Sequence, residues 1–353
     1  MADKAAVIGD GQMGLVLARL LAEKGLDVVL WGPFRSEIVE LVRTRKSPRR
    51  LPGLALPDSV LITAEESEAC RHAAVMVDAI PTQFIRPVWS RLAPFVEPGV
   101  PIWSVSKGIE QETLLTPLQV LEQVVDGEPP SPRPSPGGRG GSAAQSPPRR
   151  PYVCVSGPTI AAELARRLPA TMVAASSEPA DAIQAQAVLS TPYLRIYTND
   201  DVKGVEIAGA VKNIIAIAAG IVDGLGLGYN AKSALLARGL AEIARLGVAL
   251  GARADTFYGV AGVGDLATTC FCPQGRNRTC GERLGKGESL DTITRTTDSI
   301  IEGVATTASV KRLAARLGVD MPITDAVHRI LFEGLTPAEA LALLMEREAK
   351  AER

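Results

Sequence analysis

The stretch Ala5-Ala6-Val7-Ile8-Gly9-Asp10-Gly11-Gln12-Met13-Gly14, followed by Leu15 to Ala22 and then Asp27-Val28-Val29-Leu30-Trp31, decides the fold. The first four residues read as a buried strand, Leu15 to Ala22 as a helix, and Asp27 to Trp31 as a second strand. A GxGxxG triplet is weak by itself, and on residues alone it also fits a purely structural strand-to-helix turn. Between a strand and a helix, with a second strand at this distance, it marks a dinucleotide-binding turn. Gly9 allows the tight turn, Gly11 lets the backbone approach a pyrophosphate, and Gly14 lets helix and strand pack closely. The helix N-terminus would then present N–H groups to the anion.

Working outward, further strands are expected at Val60-Leu61-Ile62, Ala74 to Ile80, Pro101 to Val105 and Tyr152-Val153-Cys154-Val155. Strands alternating with helical patterns mean a doubly wound parallel sheet of Rossmann type. After about Thr198 the pattern becomes helical, over Val205–Val222, Ala231–Leu250, Ala305–Leu317 and Pro337–Ala349. The expected architecture is therefore an α/β domain over residues 1–198 and an all-α domain over 199–353. In the second of these helices, Leu235, Leu236, Leu240, Ile243 and Leu246 should face inward and Arg238, Glu242 and Arg245 outward, with Gly251 as the stop. Residues 129–151 hold eight of the 25 prolines, four glycines and no aliphatic residue larger than alanine. They read as a disordered insertion, either tolerated at the surface or available to a partner.

Composition narrows the function classes. With 353 residues, 46% apolar and 22% charged, the chain is long enough for two packed domains. A net charge of -1, from 38 basic against 39 acidic residues, argues against non-specific nucleic-acid binding. The five cysteines form no CxxC pair and have no histidine at metal-ligand spacing, so a reduced, metal-free, cytoplasmic protein is expected. The most apolar long run, Gly204 to Val222, is interrupted by Glu206, Lys212 and Asn213, which argues against a membrane span. Only His72 and His328 are available for imidazole chemistry.

Proton chemistry therefore falls on lysine. Lys212 sits in the middle of a helix that is apolar almost all round, where lost hydration lowers an ammonium pKa toward neutrality; the alternative is a lysine snorkelling to the surface. Ser106-Lys107-Gly108 and Gly157-Pro158-Thr159 each follow a strand at its carboxyl end, where ligands bind in such sheets. Asp265 leaves a glycine-rich turn, either as a functional carboxylate or as a helix cap. Gly275-Arg276-Asn277-Arg278 suits phosphate recognition or is a solvated basic loop. At the end of the second strand, Trp31-Gly32-Pro33-Phe34-Arg35 carries no acid, and Arg35 either meets a 2′-phosphate, making NADPH the preferred cofactor, or is simply solvated.

Taken in order, these segments resemble NAD(P)-dependent glycerol-3-phosphate dehydrogenases of the bacterial type. The resemblance runs through Gly9 to Trp31, Leu51-Pro52-Gly53, Ser106 to Glu110, Ser156 to Thr159, Gly209 to Arg253, Ala261 to Arg278 and Ile301-Glu302-Gly303. It implies a helical domain like that of 6-phosphogluconate dehydrogenase, NADP(H) or NAD(H) as cofactor, and reduction of dihydroxyacetone phosphate to sn-glycerol 3-phosphate for glycerophospholipid synthesis; the apolar helical half separately suggests a homodimer. It further implies Lys212 as proton acceptor and substrate contact, Lys107 touching both cofactor and substrate, and Asp265 with Thr269 beside the lysine. Gly157 and Thr159 match substrate contacts; Gly275, Arg276 and Asn277 match the phosphate loop. Gly9, Gly11, Gln12, Met13, Gly14, Arg35, Ala161, Arg276, Ile300 and Glu302 fall on the cofactor side. The chain departs from the family pattern at Gln12-Met13, Pro33, Arg50 and Asp78. A reductase of another small keto or hydroxy acid, or a dinucleotide sensor without turnover, remains an alternative.

Overall fold

A computed structural model describes residues 4–127, 149–348 and 351. The chain forms two compact units. One comprises residues 1–106, 117–155 and 159–202; the other comprises 107–116, 156–158 and 203–353. A single cut at 198/199 therefore differs from this division at three short segments, 107–116, 156–158 and 199–202. The residues after the fifth and sixth strands, including Lys107 and Gly157, belong to the helical unit.

The first unit is built on eight strands: β1 (Lys4–Ile8), β2 (Asp27–Trp31), β3 (Leu61–Thr63), β4 (Val75–Asp78), β5 (Ile102–Ser104), β6 (Tyr152–Ser156), β7 (Ala170–Ala175) and β8 (Leu194–Asn199). Its helices are α1 (Gln12–Glu23), α2 (Arg35–Thr44), α3 (Glu66–Cys70), α4 (Thr82–Leu92), α5 (Pro117–Val125), α6 (Ala161–Ala165) and α7 (Pro179–Leu189). The sheet order is β3-β2-β1-β4-β5-β6-β7-β8, with parallel registers from β3 through β6 and between β7 and β8. The order reverses between β1 and β4, the switch point at which such sheets take their ligands. From Ala5 to Ile8 both faces of β1 are buried, as an apolar run with helices on either side requires.

The sheet continues two strands beyond the last one read from sequence. Their signal is weak because β7 is alanine-rich and β8 alternates buried with exposed residues over only part of its length. Asp78, the polar interruption of β4, is fully buried. Its carboxylate accepts hydrogen bonds from Trp89 Nε1 at 2.8 Å and from the hydroxyls of Ser104 and Ser106 at 2.7 Å each. Burial raises its pKa, and these donors only partly offset that.

The proline-rich segment needs a correction at its end. Residues 129–148 lie outside the described residues, but 149–151 do not belong to a disordered loop. Arg150 is buried, donating to Asp126 at 3.0 Å and to the carbonyls of Glu97 and Val100, while Ile102 donates to the Pro151 carbonyl. A guanidinium with this many acceptors pins the chain before it enters β6.

The second unit consists of α8 (Val202–Gly224), α9 (Gly228–Ala249), α10 (Asp265–Phe271), α11 (Arg276–Gly285), α12 (Leu290–Arg295), α13 (Glu302–Leu317), α14 (Pro322–Phe332) and α15 (Pro337–Met345). By length and apolarity α8 could cross a membrane, but 94% of its most apolar window is buried as the core of this unit. Ile207, Val211, Ile214, Ile215 and Ile217 pack there with Phe257, Leu246 and Val310. Gly251, at φ 86°, ends α9 in the left-handed conformation that glycine favours.

One expectation on α9 is overturned. Glu242 does not face solvent; it is 1% exposed. Its carboxylate accepts from the backbone N–H groups of Ile323 and Thr324 at 2.6 and 3.2 Å and from the Thr324 hydroxyl. It thus satisfies the free donors at the start of α14 across a helix interface, and periodicity along α9 alone cannot reveal that.

Candidate active site

In the first unit, the turn between β1 and α1 has the geometry a pyrophosphate needs. Gly9 adopts φ 118°, and a Cβ there would stand 2.7 Å from the Ala79 carbonyl oxygen. A Cβ on Gly14 would overlap the Gly9 carbonyl, so α1 can pack this closely only with glycine. A Cβ on Gly11 would meet no protein atom within 4 Å, so the bare backbone at the start of α1 faces away from the fold. The N-cap residue of that helix, Gly11, has no side chain to cap it, which suits its N–H groups to an anionic ligand. These features fit a dinucleotide.

Gln12 donates to the Arg50 carbonyl at 2.7 Å, and Met13 packs against the sheet core. Arg35, at the start of α2, pairs with Glu65 at 2.7 Å, both side chains being exposed. Ala161 is buried at the start of α6, and Thr159 lies just before it, half-buried.

The second unit gathers the other candidates. Lys212 Nζ donates to Asp265 Oδ1 at 2.5 Å and to the Thr269 hydroxyl at 2.8 Å. Lys107 Nζ donates to Asp265 Oδ2 at 2.6 Å and to the Gly157 carbonyl at 3.0 Å. One carboxylate thus bridges two ammonium groups, with Asp265 1% and Lys212 6% exposed. Lys212 does not snorkel. Asp265 and Thr269 share one face of α10 by their four-residue spacing, and α8 places Lys212 opposite them. Gly209, one turn before Lys212, makes room for the Lys107 stem: a Cβ there would lie 3.5 Å from Lys107 Cγ and 2.9 Å from Ser156 Oγ.

Burial lowers the Lys212 pKa to about 8, with Lys107 adding to the shift and Asp265 opposing it. Burial would raise the Asp265 pKa, but Lys107 and Lys212 outweigh it and hold the carboxyl below its usual value. The arrangement is a charged Lys–Asp–Lys chain with one ammonium poised to exchange its proton near neutral pH.

Beside it, Asn213 Oδ1 accepts from Asn277 Nδ2 at 2.9 Å, and Asn277 Oδ1 accepts from the Gly303 N–H at 2.9 Å. Gly275 stands at the N-cap of α11. Arg276, at the start of α11 and exposed, donates to the Ile300 carbonyl at 3.2 Å, and Glu302 lies close enough to interact with it electrostatically. Asn213 was named from sequence as a polar interruption of the helix but not as a site residue, although an amide within an apolar helix carries the same signal as Lys212. Nearby, the buried hydroxyl of Ser156, which sequence did not mark as a site residue, has no hydrogen-bond partner among the described residues.

Models for the N- and C-terminal domains of NAD-dependent glycerol-3-phosphate dehydrogenase match residues 4–131 and 201–342. The chain is 44% identical over its whole length to the full length of a Geobacter metallireducens protein named glycerol-3-phosphate dehydrogenase [NAD(P)+]. The chain belongs to this family. A Mycobacterium tuberculosis glycerol-3-phosphate dehydrogenase [NAD(P)+] is 42% identical over all of this chain and 99% of that protein. The crystal structure of glycerol-3-phosphate dehydrogenase from Coxiella burnetii superposes with a TM-score of 0.89 at 32% identity, covering 98% of this chain and 99% of that one. The family fold and the NAD(P) dependence implied by the resemblance are both met.

Proposed function

We propose that this dehydrogenase reduces dihydroxyacetone phosphate to sn-glycerol 3-phosphate, reversibly, with Lys212 as the group that gives and takes the hydroxyl proton. Bound NAD(P)H supplies the hydride to the ketone carbon. Lys212, as ammonium, protonates the oxygen as it becomes an alkoxide, and as the free amine it accepts the hydroxyl proton in the reverse direction. Lys107 adds positive charge where negative charge develops. Asp265 holds both lysines, and Thr269 fixes the direction of Lys212. Arg276 and Asn277, with Gly275, bind the substrate phosphate, whose binding energy positions the carbonyl. Gly157 and Thr159 complete the substrate contacts.

On the cofactor side, the Gly9-Gly11-Gly14 turn with Gln12 and Met13 holds the dinucleotide, and Lys107, Ala161, Arg276, Ile300 and Glu302 contribute further contacts. Arg35 would meet a 2′-phosphate only by leaving Glu65, so acceptance of both NADH and NADPH is expected. The product serves as the glycerol phosphate backbone of phospholipids. A homodimer belongs to the same reading, and a cytoplasmic location is supported by five free cysteines.

The observation that carries this reading is the buried lysine bonded to Asp265 and Thr269, with its pKa near 8. Consumption of NADPH and of NADH should be measured with dihydroxyacetone phosphate and with a panel of other keto acids and sugar phosphates. Selective turnover of dihydroxyacetone phosphate is expected; a better substrate without a phosphate would overturn the assignment.

A further inference from the structure

Arg276 can grip a phosphate only if α11 holds a fixed rotation and a fixed place along α8. Two adjacent residues of α11 are tied to α8. Asn277 bonds to Asn213, and Arg278 bonds to Asp223, with its Nε 2.7 Å from Asp223 Oδ2 and a terminal nitrogen at 2.6 Å. Adjacent helical residues point about 100° apart, so two ties resist rolling of the first turn of the helix in a way that one does not. Between them the helix backbones touch. A Cβ on Gly220 would overlap the carbonyl of Arg278, and one on Gly281 would overlap the carbonyl of Ile217. That contact sets the distance between the helices, and Cys280 and Leu284 of α11 are buried in the same core as α8, so the polar ties act chiefly on the first turn of α11, which carries Arg276.

Asp223 also receives Lys232 of α9, which donates to Oδ1 at 2.9 Å and to Oδ2 at 2.7 Å. Lys232 is itself buried, its Nζ standing 4.9 Å from the centroid of the Phe271 ring at the end of α10. One carboxylate therefore links α8, α9 and α11, while the last residue of α10 lies against the same lysine. Arg278 makes one further pair, with Glu282 at 3.0 Å within its own helix, which does not reach α8.

We propose that Asp223 is a positioning residue: by holding Arg278 it fixes the rotation of the first turn of α11 and thereby the aim of Arg276 and Asn277 at the substrate phosphate. The proposal rests on the reading that Arg276 binds that phosphate. In Asp223→Asn, KM for dihydroxyacetone phosphate should rise ~10-fold, as expected for a misplaced binding group. Inhibition by inorganic phosphate should weaken by a similar factor, while the slow turnover of phosphate-free dihydroxyacetone should stay unchanged.

Arg278→Gln, which leaves Lys232 paired with Asp223, should reproduce this split and decides the matter if Asp223→Asn does not fold. In an Arg276→Ala background, Asp223→Asn should add much less loss with the phosphorylated substrate than it causes alone, the remainder coming through Asn277. Equal losses with both substrates, or an undiminished effect in the Arg276→Ala background, would overturn the proposal. If Arg276→Ala alone leaves KM and phosphate inhibition untouched, the underlying reading of Arg276 fails instead, and the proposal falls with it.

Discussion

Replacing Asp265 by Asn tests how the carboxylate sets the proton affinity of Lys212. The substitution keeps the size of the side chain and removes one charge. Asp265 lies 2.5 Å from the Lys212 nitrogen and is buried, so solvent does not replace it. At an effective dielectric constant of about 20 and a charge separation of about 4 Å, the lost attraction is ~4 kcal/mol, or about three pKa units. Lys212 would then fall from about 8 to roughly 5, an upper bound because the site can relax. At pH ~7 its ammonium fraction would drop from ~90% to ~1%, which costs ketone reduction roughly 100-fold from protonation alone. The assay is NADPH oxidation by saturating dihydroxyacetone phosphate from about pH 5 to 9. The variant should regain rate nearly tenfold per pH unit as the solution is acidified. A profile overlaying the wild type, or displaced to higher pH, would refute the reasoning.

Other outcomes follow from the same structure. For the wild type, reduction should fall and oxidation should rise as pH passes about 8, the pKa set for Lys212 by burial; opposed initial-rate profiles check this. Gly14→Ala would drive a methyl into the Gly9 carbonyl, so NADPH binding measured by fluorescence titration should weaken at least ~10-fold while the helical unit keeps its fold. Burial raises the Glu242 carboxyl to about 7 from 4.5, so the folded state holds a proton that the unfolded state has lost between those values. Stability should therefore fall as pH rises through that window, by up to ~3 kcal/mol. Denaturant unfolding at several pH values should show this slope in the wild type and a flatter one in Glu242→Gln.

Local signals made much of this molecule legible. The turn at Gly9 to Gly14 could be read because each glycine answers a nearby constraint: a left-handed φ at one position and close backbone packing at another. Lys212 stood out because charge within an apolar helix is costly unless it is used or paired, and the structure pairs it. Features defined by partners distant in sequence were harder to read. Glu242 matched an exposed helix position, yet its function depends on the start of α14 some 80 residues later. Arg150 looked like part of a low-complexity loop until Asp126 and two carbonyls enclosed it. The two-unit division escaped a linear reading because the turns after β5 and β6 belong with the helices.

The most direct test of the central claim compares Lys212→Ala with the wild type in two measurements on the same preparation, turnover of dihydroxyacetone phosphate with NADPH and the dissociation constant for NADPH. The account predicts that turnover falls at least ~1,000-fold while NADPH binding changes less than ~3-fold, because proton transfer is lost and the glycine turn is untouched. Near-normal turnover in the variant would contradict it.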